Sequence, residues 1–292
     1  MATPKLLILG SAAAEGIPAF FCTCPVCTHA IEAGGRDVRQ RTSYNIGGAL
    51  QIDFGPDIFQ AFLRHPAELR AMRHLLVTHA HDDHFAPSQL LYRCGGFCRQ
   101  IVNGDRPLTV HGTRPTCDIL LRPDMDRGAP RPMTREEILD RARIAVHEIA
   151  AFQTFDLPDI GATVRTFAAN HAPHLDALVF LVTMRGRTFF VCNDTALLPD
   201  ATFDALKALS GQVRIDVAVL DNTYMLHDGH ISHMGMPLVL ETFSRLESFG
   251  LVDGDTVRVV NHFSHNGGST HAELEAFYAP RGIVVGHDDL AL

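Results

Sequence analysis

Apolar residues fall in short runs along most of this chain, and several of the runs end on histidine, asparagine or aspartate. KLLILG (5–10), ALQIDFG (49–55), HLLVTH (74–79), LTVHG (108–112), ATVRTFAAN (162–170), ALVFLVT (177–183), RTFFVCND (187–194), VAVLDN (217–222) and TVRVVNH (256–262) have the length and β-branched content of strands. Helical spacing runs through DIFQAFLRH, ATFDALKALS and GMPLVLETFSRL, and a last helix is expected to begin near Thr270. Early strands pair closely, and later ones alternate with helices. The pattern predicts a mixed α/β protein in which at least two sheets pack on each other beneath helices.

Residues 122–143 depart from that pattern. They are rich in Arg, Pro, Asp and Met, with a short helix expected at TREEILDRAR, and read as an insertion or lid, a solvated surface loop being the alternative. No Pro/Ser-rich linker, low-complexity tract or repeat divides the 292 residues, so the expectation is one domain over 1–292. An apolar content of 46% lets such a chain bury a large core. A net charge of -8 argues against a nucleic-acid surface and leaves room for a small anionic substrate. The opening MATPKLLILG has too short an apolar stretch for a signal peptide, and nothing later approaches a membrane span. A cytoplasmic protein is expected, and a homodimer is compatible with the sequence. In that compartment the seven cysteines read as metal ligands, buried apolar residues or reactive thiols rather than disulfides.

THAHDDHF (78–85) adds chemistry to the pattern. If Leu75, Leu76 and Val77 form a buried strand, His79, His81, Asp83 and His84 sit in the loop beyond it and at the start of a following helix. Imidazole nitrogens and carboxylate oxygens in that order suit Zn, Mn or Fe, and two metals can share such a cluster if other ligands arrive from elsewhere. His171, Asp194 and His262 each end a later apolar run, where strand ends converge on one rim. Taken singly, each could be a capping or surface polar residue.

A second metal is expected at FCTCPVC. Cys22, Cys24 and Cys27 are close enough for one tetrahedral zinc but one ligand short, and His265, three residues beyond His262, is the candidate fourth. A redox or reactive thiol cluster is the alternative. Phe20 and Phe21 are expected to cover this metal rather than line a pocket.

With these residues in view, the chain resembles the metallo-β-lactamase superfamily of hydrolases, whose H-x-H-x-D-H motif and later ligands match His79, His81, Asp83, His84, His171, Asp194 and His262. The resemblance implies an αββα sandwich with a dinuclear centre on one edge. His79, His81 and His171 would hold one divalent metal, Asp83, His84 and His262 the other, and Asp194 would bridge them. GSAAAEGIPAFFCTCPVC, His262 with His265, and the ending GIVVGHDDLAL look more narrowly like the PhnP-type phosphoribosyl cyclic phosphodiesterases. That family carries a structural zinc on a C-x-C-x-x-C segment plus a histidine, here Cys22, Cys24, Cys27 and His265. The N-terminal segment also looks like pyrroloquinoline quinone biosynthesis protein B, in which the H-x-H-x-D-H motif is degenerate.

The resulting expectation is a hydrolase that opens a small cyclic phosphate ester with metal-bound hydroxide, two metals clamping the phosphate. A lactone or other ester hydrolase, or a non-hydrolytic cofactor-biosynthesis protein, are the alternatives. DGHISHMGM (228–236) supplies histidines that could protonate the leaving alkoxide. His233 is favoured by its resemblance to a non-ligand active-site histidine of the cyclic phosphodiesterases, with His230 as competitor.

Overall fold

The computed structural model of the chain describes residues 3–94, 97–102, 106–120, 134–229 and 232–292. Its first sheet runs β1 (Leu6–Gly10), β2 (Ser43–Ile46), β3 (Leu50–Ile52), β4 (His74–Leu76), β5 (Leu108–Gly112) and β6 (Ile144–Glu148), antiparallel as far as β3 and parallel beyond it. The second contains β7 (Thr154–Leu157), β8 (Ala162–Ala168), β9 (Leu178–Met184), β10 (Arg187–Cys192), β11 (Val217–Asp221), β12 (Val257–Asn261) and β13 (Ile283–Val285), each paired with the next. It is antiparallel from β7 to β10 and parallel from β10 to β13.

The central strands of the second sheet, β9 to β11, are buried on both faces, which explains their apolar strings. Along β9, Leu178, Phe180 and Val182 point between the sheets, whereas Val179 and Leu181 point to the helices behind. Each such side chain contributes about 1.5–3 kcal/mol by leaving water. Helix α1 (Pro25–Ala33) belongs to the outer layer on that side, and α2 (Ile58–Arg64) and α3 (Pro66–Arg70) cover β1 on the other. Leu120 of α4 (Arg114–Leu120) and Ile138 and Ala142 of α5 (Arg135–Ala142) pack on the first sheet. Phe203 of α6 (Asp200–Lys207), Phe243 of α7 (Met236–Ser248) and Leu274 of α8 (His271–Tyr278) complete the cover of the second. The layers are therefore helices, sheet, sheet, helices.

Expected elements differ from observed ones in places that follow from size and exposure. SYNI, TFDL and IVV form strands of three or four residues, too short to carry a clear period, and β6 exposes its last residues. No helix begins at Asp83 or His84: the loop makes one turn, closed by the His84 and Phe85 amides on the His81 carbonyl, then Phe85 bridges Phe54, and a 3₁₀ turn starts only at Pro87. Of residues 122–143, those up to 133 lie outside the described residues. Helix α5 in the remainder has a capping box between Thr134 and Glu137.

Three histidines stand side by side on β4, β5 and β6. His74 Nδ1 lies 3.1 Å from His111 Nε2, His111 Nδ1 lies 2.9 Å from His147 Nδ1, and His74 Nε2 reaches Asp159 at 3.0 Å. Phe155 stacks on His111. One proton per contact suffices, so the row is satisfied when all three rings are neutral. Burial, with the neighbouring His74 and His147, pulls the His111 pKa down to about 3. Because the unfolded ring takes its proton near 6.5, this site favours the folded state fully above that pH and progressively less below it. Between pH 6.5 and 5 the loss reaches about 2 kcal/mol. His111→Gln should therefore lose about that much less stability than the parent on acidification from pH 7 to 5, as read from urea midpoints at the two pH values.

Candidate metal centre

The site occupies the rim where strands of both sheets end. Asp53 directly follows β3 and His262 directly follows β12, while Asp194 comes two residues after β10; all three have left-handed backbones, with φ of 60°, 65° and 49°. Asp and His tolerate this region better than most residues, and the turn redirects each chain at the rim. His79, His81, Asp83 and His84 occupy the loop after β4, and His171 follows β8.

Asp194 sits at the centre. Its Oδ2 lies 3.2 Å from His79 Nε2 and 2.8 Å from His84 Nε2, and its Oδ1 lies 2.7 Å from His262 Nε2. His81 Nδ1 is 2.7 Å from His79 Nε2 and 3.3 Å from His171 Nε2. Asp83 Oδ2 is 3.1 Å from His84 Nε2. Two groups result, His79 with His81, His171 and Asp194, and Asp83 with His84, Asp194 and His262, each with ligand atoms mutually within 4.8 Å. The seven residues expected to act together thus converge, with Asp194 common to both groups.

Whether a cation fits can be judged from the polar atoms themselves. Asp194 Oδ1, His84 Nε2 and His262 Nε2 are buried and make no hydrogen bond among the described residues, although Oδ1 and the His262 nitrogen are only 2.7 Å apart. Lone pairs gathered this closely without donors between them suit a cation. Burial opposes charge on Asp194, but His262 and His84 hold its carboxyl well below the usual range. Burial and the other imidazoles push His79 well below its ordinary value, whereas burial is outweighed at His84 by the Asp83 and Asp194 charges, which push it well above. The opposite ring nitrogens are engaged. His84 Nδ1 meets Asp53 Oδ2 at 2.7 Å, His79 Nδ1 meets Thr78 Oγ1 at 3.1 Å, His171 Nδ1 meets the Ser232 carbonyl at 3.2 Å and His262 Nδ1 meets Thr223 Oγ1 at 2.8 Å. Such partners fix the ring direction and tautomer of ligating histidines.

His233 lies beside these groups, with Nδ1 3.2 Å from Asp221 Oδ2 and 3.6 Å from Asp194 Oδ1. Asp194, Asp221, His233 and His262 are also mutually within 4.8 Å. Asp221 is nevertheless saturated: its oxygens accept from the Thr223, Met234 and Thr195 amides and the Thr223 hydroxyl. It is placed to orient His233 and Thr223 rather than to take a cation. Burial lowers the His233 pKa, but the Asp221 hydrogen bond and the Asp221 and Asp194 charges outweigh it and lift it to about 9. His230 lies outside the described residues. A pocket of ≈ 260 Å³ opens on the centre, lined among others by His81, Asp83, His171, Asp194, His233, His262, Tyr224 and Glu15.

The cysteine group forms nearby. His265 Nδ1 is 3.4 Å from both Cys22 Sγ and Cys24 Sγ, and all three thiols and this ring fall within 4.8 Å of one another. Backbone amides of Cys24, Cys27 and Ala19 point at the sulfurs of Cys22, Cys24 and Cys27 respectively. Burial opposes it, yet the Cys27 amide and His265 bring the Cys24 thiol down to about 6. Phe20 and Phe21 do not cover this group. They are 85% and 103% exposed, because the backbone of residues 19–27 already wraps the sulfurs and turns both rings outward.

Asp53, Thr78, Asp221, Thr223 and Glu15 were not singled out from the sequence. Asp53 and Asp221 each follow or close an apolar run, as Asp194 does, and that repeated placement was the available signal.

Residues 50–252 match the family model described as "Beta-lactamase superfamily domain", and the chain belongs to this superfamily. Coenzyme PQQ synthesis protein B of Methylobacterium sp. (strain 4-46) is 28% identical over 247 residues, covering 78% of this chain and 75% of that protein. The likeness to the quinone protein thus extends well beyond the N-terminal segment. Among solved structures, a diphosphatase from the PhnP family superposes with a TM-score of 0.71 at 21% identity, covering 99% of this chain and 97% of that one. Zn(2+)-bound PqqB from Methylobacterium extorquens gives 0.68 at 20% identity, covering 99% of each. At these identities the two structures establish a shared fold.

Replacing Asp53 by Asn leaves an oxygen for the Thr78 amide but removes the charge that holds His84. Asp53→Asn should weaken metal retention at the centre by about 10–100-fold, measured by competition with a chromogenic chelator.

Proposed function

We propose that the protein is a metal-dependent phosphodiesterase that opens a small cyclic phosphate ester. The observation that carries this reading is the meeting, in one pocket, of the two Asp194-centred ligand groups with a histidine held by a separate carboxylate. His79, His81 and His171 would hold one divalent ion, Asp83, His84 and His262 a second, with Asp194 shared; Zn, Mn and Fe all suit these ligands. Such ions, when bound, supply a hydroxide at neutral pH and neutralise charge on the phosphoryl oxygens. Cys22, Cys24, Cys27 and His265 would hold a structural zinc.

The chain's own part in the reaction is proton placement. Asp221 accepts from His233 Nδ1–H, which leaves Nε2 as the ring nitrogen with no partner among the described residues. A proton on Nε2 can pass to the departing alkoxide, while the hydrogen bond to Asp221 stabilises the charged ring before transfer and keeps its orientation after it. Among the described residues lining the pocket there is no Lys or Arg, which favours a small ester over a nucleic-acid chain.

The 28% identity to the quinone synthesis protein over most of both chains supports a second reading, a role in making a small cofactor without phosphodiester hydrolysis. Protein of measured metal content, assayed on bis(p-nitrophenyl) phosphate and ribose cyclic phosphates, separates the two. The phosphodiesterase reading expects close to three metals per chain and turnover that His81→Ala abolishes. His233→Gln should keep its metals and lose roughly 10²–10⁴ in kcat. Full metal occupancy with no phosphodiester turnover would sink this reading and favour lactones or acyl esters, then the cofactor role.

A further inference from the structure

Glu15 touches both polar sites. Its side chain lines the catalytic pocket together with His81, Asp83 and His233, yet it stands outside both His/Asp groups. Its Oε1 accepts from the Ser264 hydroxyl and, at 3.5 Å, from Asn266 Nδ2. The same oxygen faces His265 Nε2 at 3.6 Å, an electrostatic contact rather than a full hydrogen bond. The other nitrogen of that ring, Nδ1, points at Cys22 and Cys24.

The backbone explains why one residue reaches so far. Residues 11–13 run beside 262–264: the Phe263 amide donates to Ser11 O, the Ala13 amide donates to Phe263 O, and Ala12 bridges Phe263. A turn closed by the Gly16 amide on Ala13 O then places Glu15 over Ser264. His262 and His265 flank this strip, one in each group.

We infer that Glu15 is a positioning residue that fixes the His265 ring for the cysteine group and, through the same contacts, couples that group to the wall of the catalytic pocket. The inference rests on the zinc reading of the cysteine group. A cation taking the Nδ1 lone pair leaves the ring proton on Nε2, facing Glu15, and a carboxylate there raises the basicity of the ligating nitrogen. In return the Nε2 proton, with the Ser264 and Asn266 donors, offsets a negative charge that would otherwise repel an anionic substrate from this pocket.

The test uses cobalt as a reporter, because its thiolate absorption separates the cysteine group from the His/Asp groups, which contain no sulfur. In the full-length protein, Glu15→Ala should weaken zinc at the cysteine group by about 10–100-fold, read as zinc displacing cobalt under a competing chelator. Glu15→Gln, which keeps an acceptor oxygen but loses the charge, should fall between the parent and Glu15→Ala. On bis(p-nitrophenyl) phosphate, Cys22→Ser should raise KM in the parent but add little in the Glu15→Ala background, as expected of residues acting through one contact. An affinity within twofold in Glu15→Ala would remove the positioning role, and additive KM effects would remove the coupling. If the parent shows no cobalt–thiolate band, the zinc reading fails and takes the inference with it. A normal band and affinity loss without phosphodiester turnover would count only against the proposed substrate.

Discussion

A single buried carboxylate organises the rim of this fold. Asp194 divides its two oxygens between the ligand groups, facing His79 and His84 on one side and His262 on the other, with almost no exposure to solvent. A carboxylate in such a place is costly unless charge compensates it. The surrounding structure supplies that compensation by delivering imidazoles from β4, β8 and β12, which requires both sheets to end in register at the same height. The left-handed turns at Asp53, Asp194 and His262 serve that delivery and cost on the order of 1–3 kcal/mol each. Packing between the sheets must sustain them, which is where the full burial of residues such as Phe180, Phe189 and Val219 becomes a functional matter.

The convergence of the His/Asp side chains was legible in the sequence because it combines chemistry with position. Four ligand-type residues within THAHDDHF, and His171, Asp194 and His262 beyond apolar runs, needed only converging strand ends to meet. The two-layered sheet architecture was legible for the same reason, since β9 to β12 are long and apolar on both faces. Orienting residues were harder to see. Asp53 reads as a loop aspartate until its hydrogen bond to His84 is known, and Thr78 and Thr223 look like ordinary strand-end threonines. Their roles depend on neighbours remote in sequence, 31 residues apart for Asp53 with His84 and 39 for Thr223 with His262. The histidine row on β4 to β6 was invisible because each member lies on a separate strand and only register brings them side by side. Exposure of Phe20 and Phe21 was also beyond reach, since hydrophobicity says that an aromatic is best buried and not which way a tight metal loop will turn it.

The chain's two ends secure the strip that joins the sites. Arg39 is buried, donates to Ser11 Oγ and the Gly286 carbonyl, and stacks 4.4 Å above Phe263. Asp288, from the closing GHDD, accepts from Ser11 Oγ and the Gln40 amide. Burial pushes the Asp288 carboxyl up to about 6, even with Arg39 drawing it down. These contacts anchor the segment from Ser11 to Gly16 on one side and Phe263 on the other, the same two segments that present Glu15, His262 and His265. The resemblance in the GSAAAEG opening and the GHDD ending therefore has a mechanical basis. Residues near the two termini hold the N-terminal loop against β12, so that His262 of one His/Asp group and His265 of the cysteine group leave the sheet within three residues of each other.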